Sequence, residues 1–159
     1  MHQTIKLALL QLPAVAHGQD AWPAAQDAID SAASQGANLV VLPELFRTSY
    51  FCQTMDTENF RLAEEIGADT CSKLQQTAAR LNIVIVGSIF ERAMAGLYYN
   101  TAVIFDGSAG LVGTYRKTHI PDDPGYYEKF YFTPGDLGYR LFETSIGSFG
   151  VLICWDQWS

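Results

Sequence analysis

Apolar and polar positions alternate along the chain with two periods. Residues 5–11 form a short apolar stretch of strand length. Over 20–36 the positions Trp22, Ala25, Ile29, Ala32 and Ala33 fall at helical spacing. Asp20 is placed to cap that helix, Pro23 suits its first turn and Gly36 stops it. Residues 39–42 are wholly apolar, the pattern of a strand buried on both faces. A polar, aromatic loop runs over 43–56, and 57–81 is helical in character with a break at Gly67. Residues 83–90 make a β-branched strand. Two further strands, 97–105 and 111–116, are joined by the turn Asp106-Gly107-Ser108-Ala109-Gly110. After a long loop over 118–137, strands at 140–144 and 149–154 close a hairpin through Ile146, Gly147 and Ser148.

The order β-α-β-α-β followed by strands predicts an α/β domain with a mixed sheet and helices over one face. An apolar strand ending five residues before Ser159 would lie uncovered, so the domain reads as incomplete at its C-terminus. Composition narrows the function. The 10 Lys and Arg against 17 Asp and Glu give a net charge of −7, with no basic cluster for nucleic acid or an acidic membrane surface. No apolar run approaches the ~20 residues of a membrane span. Met1, His2, Gln3 and Thr4 lack the basic start of a signal peptide. The expectation is a soluble, cytoplasmic protein. Cys52, Cys71 and Cys154 form no C-x-x-C and lie far in sequence from His2, His17 and His119, so neither a disulfide framework nor a zinc site is expected.

Three polar residues share one placement, at or just beyond the carboxyl end of a predicted strand: Glu44, Lys117 and Cys154. Sites in α/β sheets gather at such ends. A carboxylate, an ammonium and a thiol brought together there suit covalent acyl transfer, with the lysine charge expected to lower the thiol pKa. Each also has a plainer reading: Cys154 as a small core residue, Glu44 as a solvated loop carboxylate, Lys117 as surface charge beside Arg116. Spacing alone leaves these open. No phosphate loop, G-x-S-x-G turn or dinucleotide fingerprint is present. Gly107, Gly110 and Gly113 read as hairpin glycines, and His119 as a loop residue.

Leu42-Pro43-Glu44, Tyr115-Arg116-Lys117-Thr118-His119 and Gly150-Val151-Leu152-Ile153-Cys154-Trp155-Asp156 resemble, in order, the glutamate, lysine and cysteine motifs of the nitrilase, or carbon–nitrogen hydrolase, superfamily. The resemblance implies the N-terminal part of an α-β-β-α sandwich, truncated after the cysteine motif, within a single hydrolase domain over 1–159. It implies Glu44 as general base, Lys117 as oxyanion cation, Cys154 as nucleophile and Glu128 as a second glutamate that hydrogen-bonds the lysine. A backbone N–H near Trp155 would complete the oxyanion site, and no metal or organic cofactor is implied. Residues 117–136 and 154–158 are most similar to the branch that hydrolyses N-carbamoyl amines, which implies a small cationic ureido substrate and a possible homo-oligomer. Asp122, Asp123, Glu128 and Asp136 against Lys129 and Arg140 suit such a cation. The alternatives are another carbamoyl or aliphatic amide, or a non-catalytic half-domain. Without the family's second half, little activity is expected of these 159 residues alone.

Overall fold

The computed structural model describes residues 4–158. The readings made on Met1, His2, Gln3 and Ser159 lie outside the described residues. Among those residues the chain runs β1 (Leu7–Leu9), α1 (Trp22–Ser34), β2 (Leu39–Val41), α2 (Asp69–Leu81), β3 (Val84–Met94), β4 (Leu97–Asp106), β5 (Gly110–Arg116), α3 (Glu128–Tyr131), β6 (Leu141–Thr144) and β7 (Gly147–Gly150), with short 3₁₀ turns at Phe51–Gln53, Thr57–Leu62 and Cys154–Trp158.

Strands β1 to β5 form one mixed sheet in sequential order. β1, β2 and β3 are parallel, while β4 is antiparallel to both β3 and β5. β5 therefore points the same way as β2, and their carboxyl ends lie at one edge of the sheet. The start of β4 lies at that edge too. This topology is what brings distant segments together.

Alternation along the strands builds two cores. One face packs Val40, Ile85, Ile89, Val103 and Phe105 against Ala25 and Ile29 of α1 and Leu74 and Ala78 of α2. The other face packs Val84, Val86, Ile104 and Tyr115 against Phe142 and Ile153 from the β6–β7 hairpin and the segment after it. Helices thus cover one face and a second β layer covers part of the other. Gly113 lies inside β5 rather than in the turn; a Cβ there would come 2.8 Å from the Phe142 ring. The hairpin is clasped to the main sheet by Asp106, whose carboxylate accepts from Ser145 N at 2.6 Å and Ser108 N at 2.8 Å. A third cluster lies under the loops, where Phe51 stacks on Phe90 at 5.0 Å and both rings meet Tyr131 and Phe132 edge-on.

Several boundaries differ from the sequence reading. Helix α1 starts at Trp22 with Ala21 in the capping position; Asp20 instead accepts from Trp22 N at 2.9 Å. The predicted helix at 57–81 is a 3₁₀ turn and α2, separated at 63–68. The last hairpin strand ends at Gly150, so Cys154 opens a 3₁₀ turn instead of ending a strand. The physical reason is backbone geometry: Cys154 has φ 45°, a left-handed conformation that no extended strand accommodates. Among the described residues no helix is long and apolar enough to cross a membrane.

Candidate active site

Glu44 leaves the end of β2 on a loop whose next residue, Leu45, has φ 50°. Lys117 follows β5 directly, its N–H donating to Asn100 O of β4 at 2.9 Å. Cys154 sits on the strained turn after the hairpin. The left-handed backbone costs about 1–3 kcal/mol for a residue with a Cβ, and here it turns a thiol out of an apolar segment. Glu128 occupies the first turn of α3.

These four side chains meet at one place. Lys117 is fully buried, and its Nζ donates to Glu44 Oε1 at 2.8 Å and to Glu128 Oε2 at 2.7 Å. Lys117 is thus no surface charge, and Glu128, 2% exposed, is no solvated loop acid. Tyr50 donates its hydroxyl to Glu128 Oε1 at 2.9 Å. Glu44, Glu128 and Cys154 line a cavity of about 540 Å³, walled by Tyr50, Tyr126, Trp155 and Trp158. Asp123 is the other charged residue of that lining. Of the four acids counted from sequence, Asp123 and Glu128 line this cavity. Asp136 is taken up by Arg116 at 2.8 Å, beside the Arg116–Glu91 pair on the sheet, and Asp122 is not among the lining residues.

Electrostatics follow from burial with one cation between two acids. Burial works against the Lys117 charge, but Glu44 and Glu128 outweigh it and hold its pKa above the ordinary lysine value. Burial pushes the Glu128 carboxyl up, and Lys117 offsets only part of that. The Cys154 thiol is also raised, first by partial burial and then by the Glu44 charge, with Lys117 pulling the other way. The expectation of a lowered thiol pKa is therefore overturned: Lys117 pulls downward as expected, but burial and, after it, the Glu44 charge outweigh it. The raised pKa favours the protonated thiol, and Glu44 lines the same cavity. Cys52 and Cys71 are buried thiols, both raised chiefly by desolvation.

Sequence reasoning missed two groups that hold this constellation. Asp156 ties the Cys154 turn to the loop after Lys117. Its Oδ2 accepts from Ile153 N at 3.0 Å and Tyr115 Oη at 2.8 Å, while Oδ1 accepts from His119 N at 2.8 Å and lies 3.0 Å from His119 Nδ1. Burial opposes ionisation of Asp156, but these hydrogen bonds outweigh it and keep its pKa below the usual carboxylate value. His119, read as a plain loop residue, belongs to this clamp. The second group is Asn100, fully buried on β4, whose Nδ2 donates to Glu44 Oε1 at 2.6 Å. A polar residue amid the apolar run of β4 was the available signal for Asn100. Asp156 carried no comparable signal beyond its place in the cysteine motif. Among the described residues no group of three or more His, Cys, Asp or Glu is placed to hold a metal ion.

A thiol, a carboxylate and a shared ammonium at the mouth of an acidic, aromatic cavity can form and resolve a thioester with a small amide. The chain belongs to the carbon–nitrogen hydrolase family, whose model matches residues 6–159. It is similar to N-carbamoylputrescine amidase of Solanum tuberosum, 44% identical over 135 residues that make up 84% of this chain and 45% of that one. It is 38% identical to a citrullinase of Francisella tularensis over 97% of this chain and 54% of the relative. A carbon–nitrogen hydrolase of Helicobacter pylori superposes with a TM-score of 0.92 at 40% identity, covering 98% of this chain and 53% of its own. The chain spans about half the length of the curated relatives it matches.

Proposed function

We propose that the protein is an amidohydrolase that cleaves N-carbamoylputrescine to putrescine, ammonia and carbon dioxide, a step of putrescine formation in the agmatine route of polyamine biosynthesis. In this reading residues 1–159 belong to one carbon–nitrogen hydrolase domain. The observation that carries the chemistry is the contact set around Lys117, which holds two carboxylates beside an accessible thiol.

Glu44 takes the Cys154 proton as sulfur attacks the ureido carbon. Two N–H bonds of Lys117 go to Glu44 and Glu128, so the third serves the oxyanion together with a backbone N–H near Trp155. Each such donor is worth about 3 kcal/mol in the transition state. The C–N bond to the terminal nitrogen breaks, and Glu44 returns the proton so that ammonia departs. Water, deprotonated by the same carboxylate, then splits the carbamoyl thioester and restores the thiol. The N-substituted carbamic acid released decomposes to carbon dioxide and the amine.

The substrate class is supported by the sign of the cavity. Its charged lining residues, Glu44, Asp123 and Glu128, are all acidic, and four aromatic rings flank them. An alkylammonium suits both features, through charge and through cation–π contact worth about 0.5–2 kcal/mol. A carboxylate-ended substrate would meet repulsion. With the family's second half supplied, ammonia release is expected from N-carbamoylputrescine and is expected to fall sharply when its amine is replaced by a carboxylate. Asp123→Asn is expected to raise KM for the amine substrate about 5- to 30-fold, the effect of one lost charged hydrogen bond of about 1–2 kcal/mol. Equal rates on both substrates would overturn the assignment in favour of another carbamoyl or aliphatic amide.

A further inference from the structure

Glu44 is held by more than the lysine. Leu45 N donates to Ser88 Oγ at 3.1 Å, so the Ser88 hydroxyl proton is free to point at Asn100 Oδ1, 3.3 Å away. That bond fixes which end of the Asn100 amide is which: with Oδ1 accepting from Ser88, Nδ2 faces Glu44 Oε1 at 2.6 Å. The relay therefore starts at the backbone immediately after Glu44 and returns to the Glu44 side chain. Ser88 and Asn100 are both buried on the adjacent strands β3 and β4 inside the five-stranded sheet.

We propose that Asn100 is the positioning residue of the base: with Lys117 it saturates Oε1 of Glu44, so that Oε2 is the oxygen that receives the Cys154 proton and later the water proton. This rests on the reading of Glu44 as general base. Oε1 already accepts two short hydrogen bonds, from Asn100 Nδ2 and Lys117 Nζ at 2.8 Å, and these lie in a buried wall that cannot turn with it. A carboxylate pinned at one oxygen loses its freedom to rotate, which leaves its second oxygen as the one open to a proton. The strained backbone at Leu45 is kept in place by the same relay, because its N–H is the first donor. Proton transfer over a hydrogen bond depends steeply on alignment; a displacement of 1 Å costs about 100-fold in rate.

The test measures the rate at which iodoacetamide alkylates Cys154 at neutral pH, read by peptide mass spectrometry on the folded fraction, alongside kcat and KM for ammonia release from N-carbamoylputrescine. Asn100→Leu preserves volume and removes both hydrogen bonds. It is expected to slow Cys154 alkylation and kcat about 10- to 100-fold with KM within twofold. Ser88→Ala leaves the amide in place but unlocks it, and is expected to slow both about two- to tenfold. The double variant should be no slower than Asn100→Leu alone, since both act through one relay. A folded Asn100→Leu protein that alkylates within twofold of the parent would overturn the proposal. Should that variant fail to fold, Ser88→Ala decides, and an unchanged rate there overturns it equally. Glu44→Gln separates the two readings. If it slows alkylation while Asn100→Leu does not, only the positioning role falls; if it leaves alkylation unchanged, the base assignment falls and the positioning role with it.

Discussion

Replacing Lys117 by methionine is expected to abolish ammonia release and to lower stability by about 3–5 kcal/mol. Methionine fits the volume but removes the only cation placed between Glu44 and Glu128 among the described residues. Two carboxylates would then face each other across a buried site, the situation in which breaking an ion pair costs most. The pH dependence of the loss has a definite sign. In the parent protein the Glu128 pKa is already raised by burial, with Lys117 offsetting part of the rise. Without the lysine it climbs further. A carboxyl whose folded pKa exceeds its unfolded value contributes stability below the unfolded value and loses it as pH rises through the folded value. The variant is therefore expected to regain stability relative to the parent as pH falls from neutrality towards 5. Denaturant titration at several pH values checks this. A constant stability difference across that range would show that Lys117 does not hold the two acids apart.

The second large effect is expected at Asp156, which touches no substrate-facing surface and is 2% exposed. Asp156→Ala would strand the N–H groups of Ile153 and His119 and the Tyr115 hydroxyl without their acceptor. A buried donor left unsatisfied costs about 1–3 kcal/mol, and several share this one carboxylate. The same bonds keep the Cys154 turn against the Lys117 loop, so the strained φ of Cys154 should relax once they are gone. We expect a loss of at least 3 kcal/mol in stability together with slowed Cys154 alkylation. Asp156→Asn should perform nearly as badly, because its NH₂ would face N–H donors. Parent-like stability and thiol reactivity in Asp156→Asn would show that the clamp does not set the turn.

The sheet was largely legible in the sequence because its strands are apolar, β-branched and bounded by turn residues. β4 was found nearly to its ends, whereas β3 runs four residues beyond the predicted 83–90, to Met94. The hairpin strand was overextended because Val151, Leu152 and Ile153 look like strand by composition; their role is to carry Ile153 into the second core before a turn that only the φ of Cys154 reveals. The sequence placed Glu44, Lys117 and Cys154 at strand ends and the resemblance added Glu128 from the long loop, but their meeting depends on β5 running parallel to β2, a property of the whole sheet. The direction of the thiol shift was misjudged for a related reason. Sequence shows that a lysine and a glutamate accompany the cysteine, but not how far the thiol is buried, and burial is the largest cause of its raised pKa. Asn100 and Ser88 are ordinary polar residues in a strand until the register puts them beside the loop after β2. Asp123 separates from Asp122 and Asp136 only through where the loop over 118–137 folds.

Attack of the Cys154 sulfur on the ureido carbon, with Glu44 carrying its proton, is open to a rapid-quench experiment on N-carbamoylputrescine. Mass spectrometry of the quenched protein should find the substrate, less one ammonia, joined to the peptide holding Cys154. That adduct should vanish in Cys154→Ala and form far more slowly in Glu44→Gln. Ammonia release that persists in Cys154→Ala, or an adduct on Cys52 or Cys71 instead, would show that Cys154 is not the nucleophile.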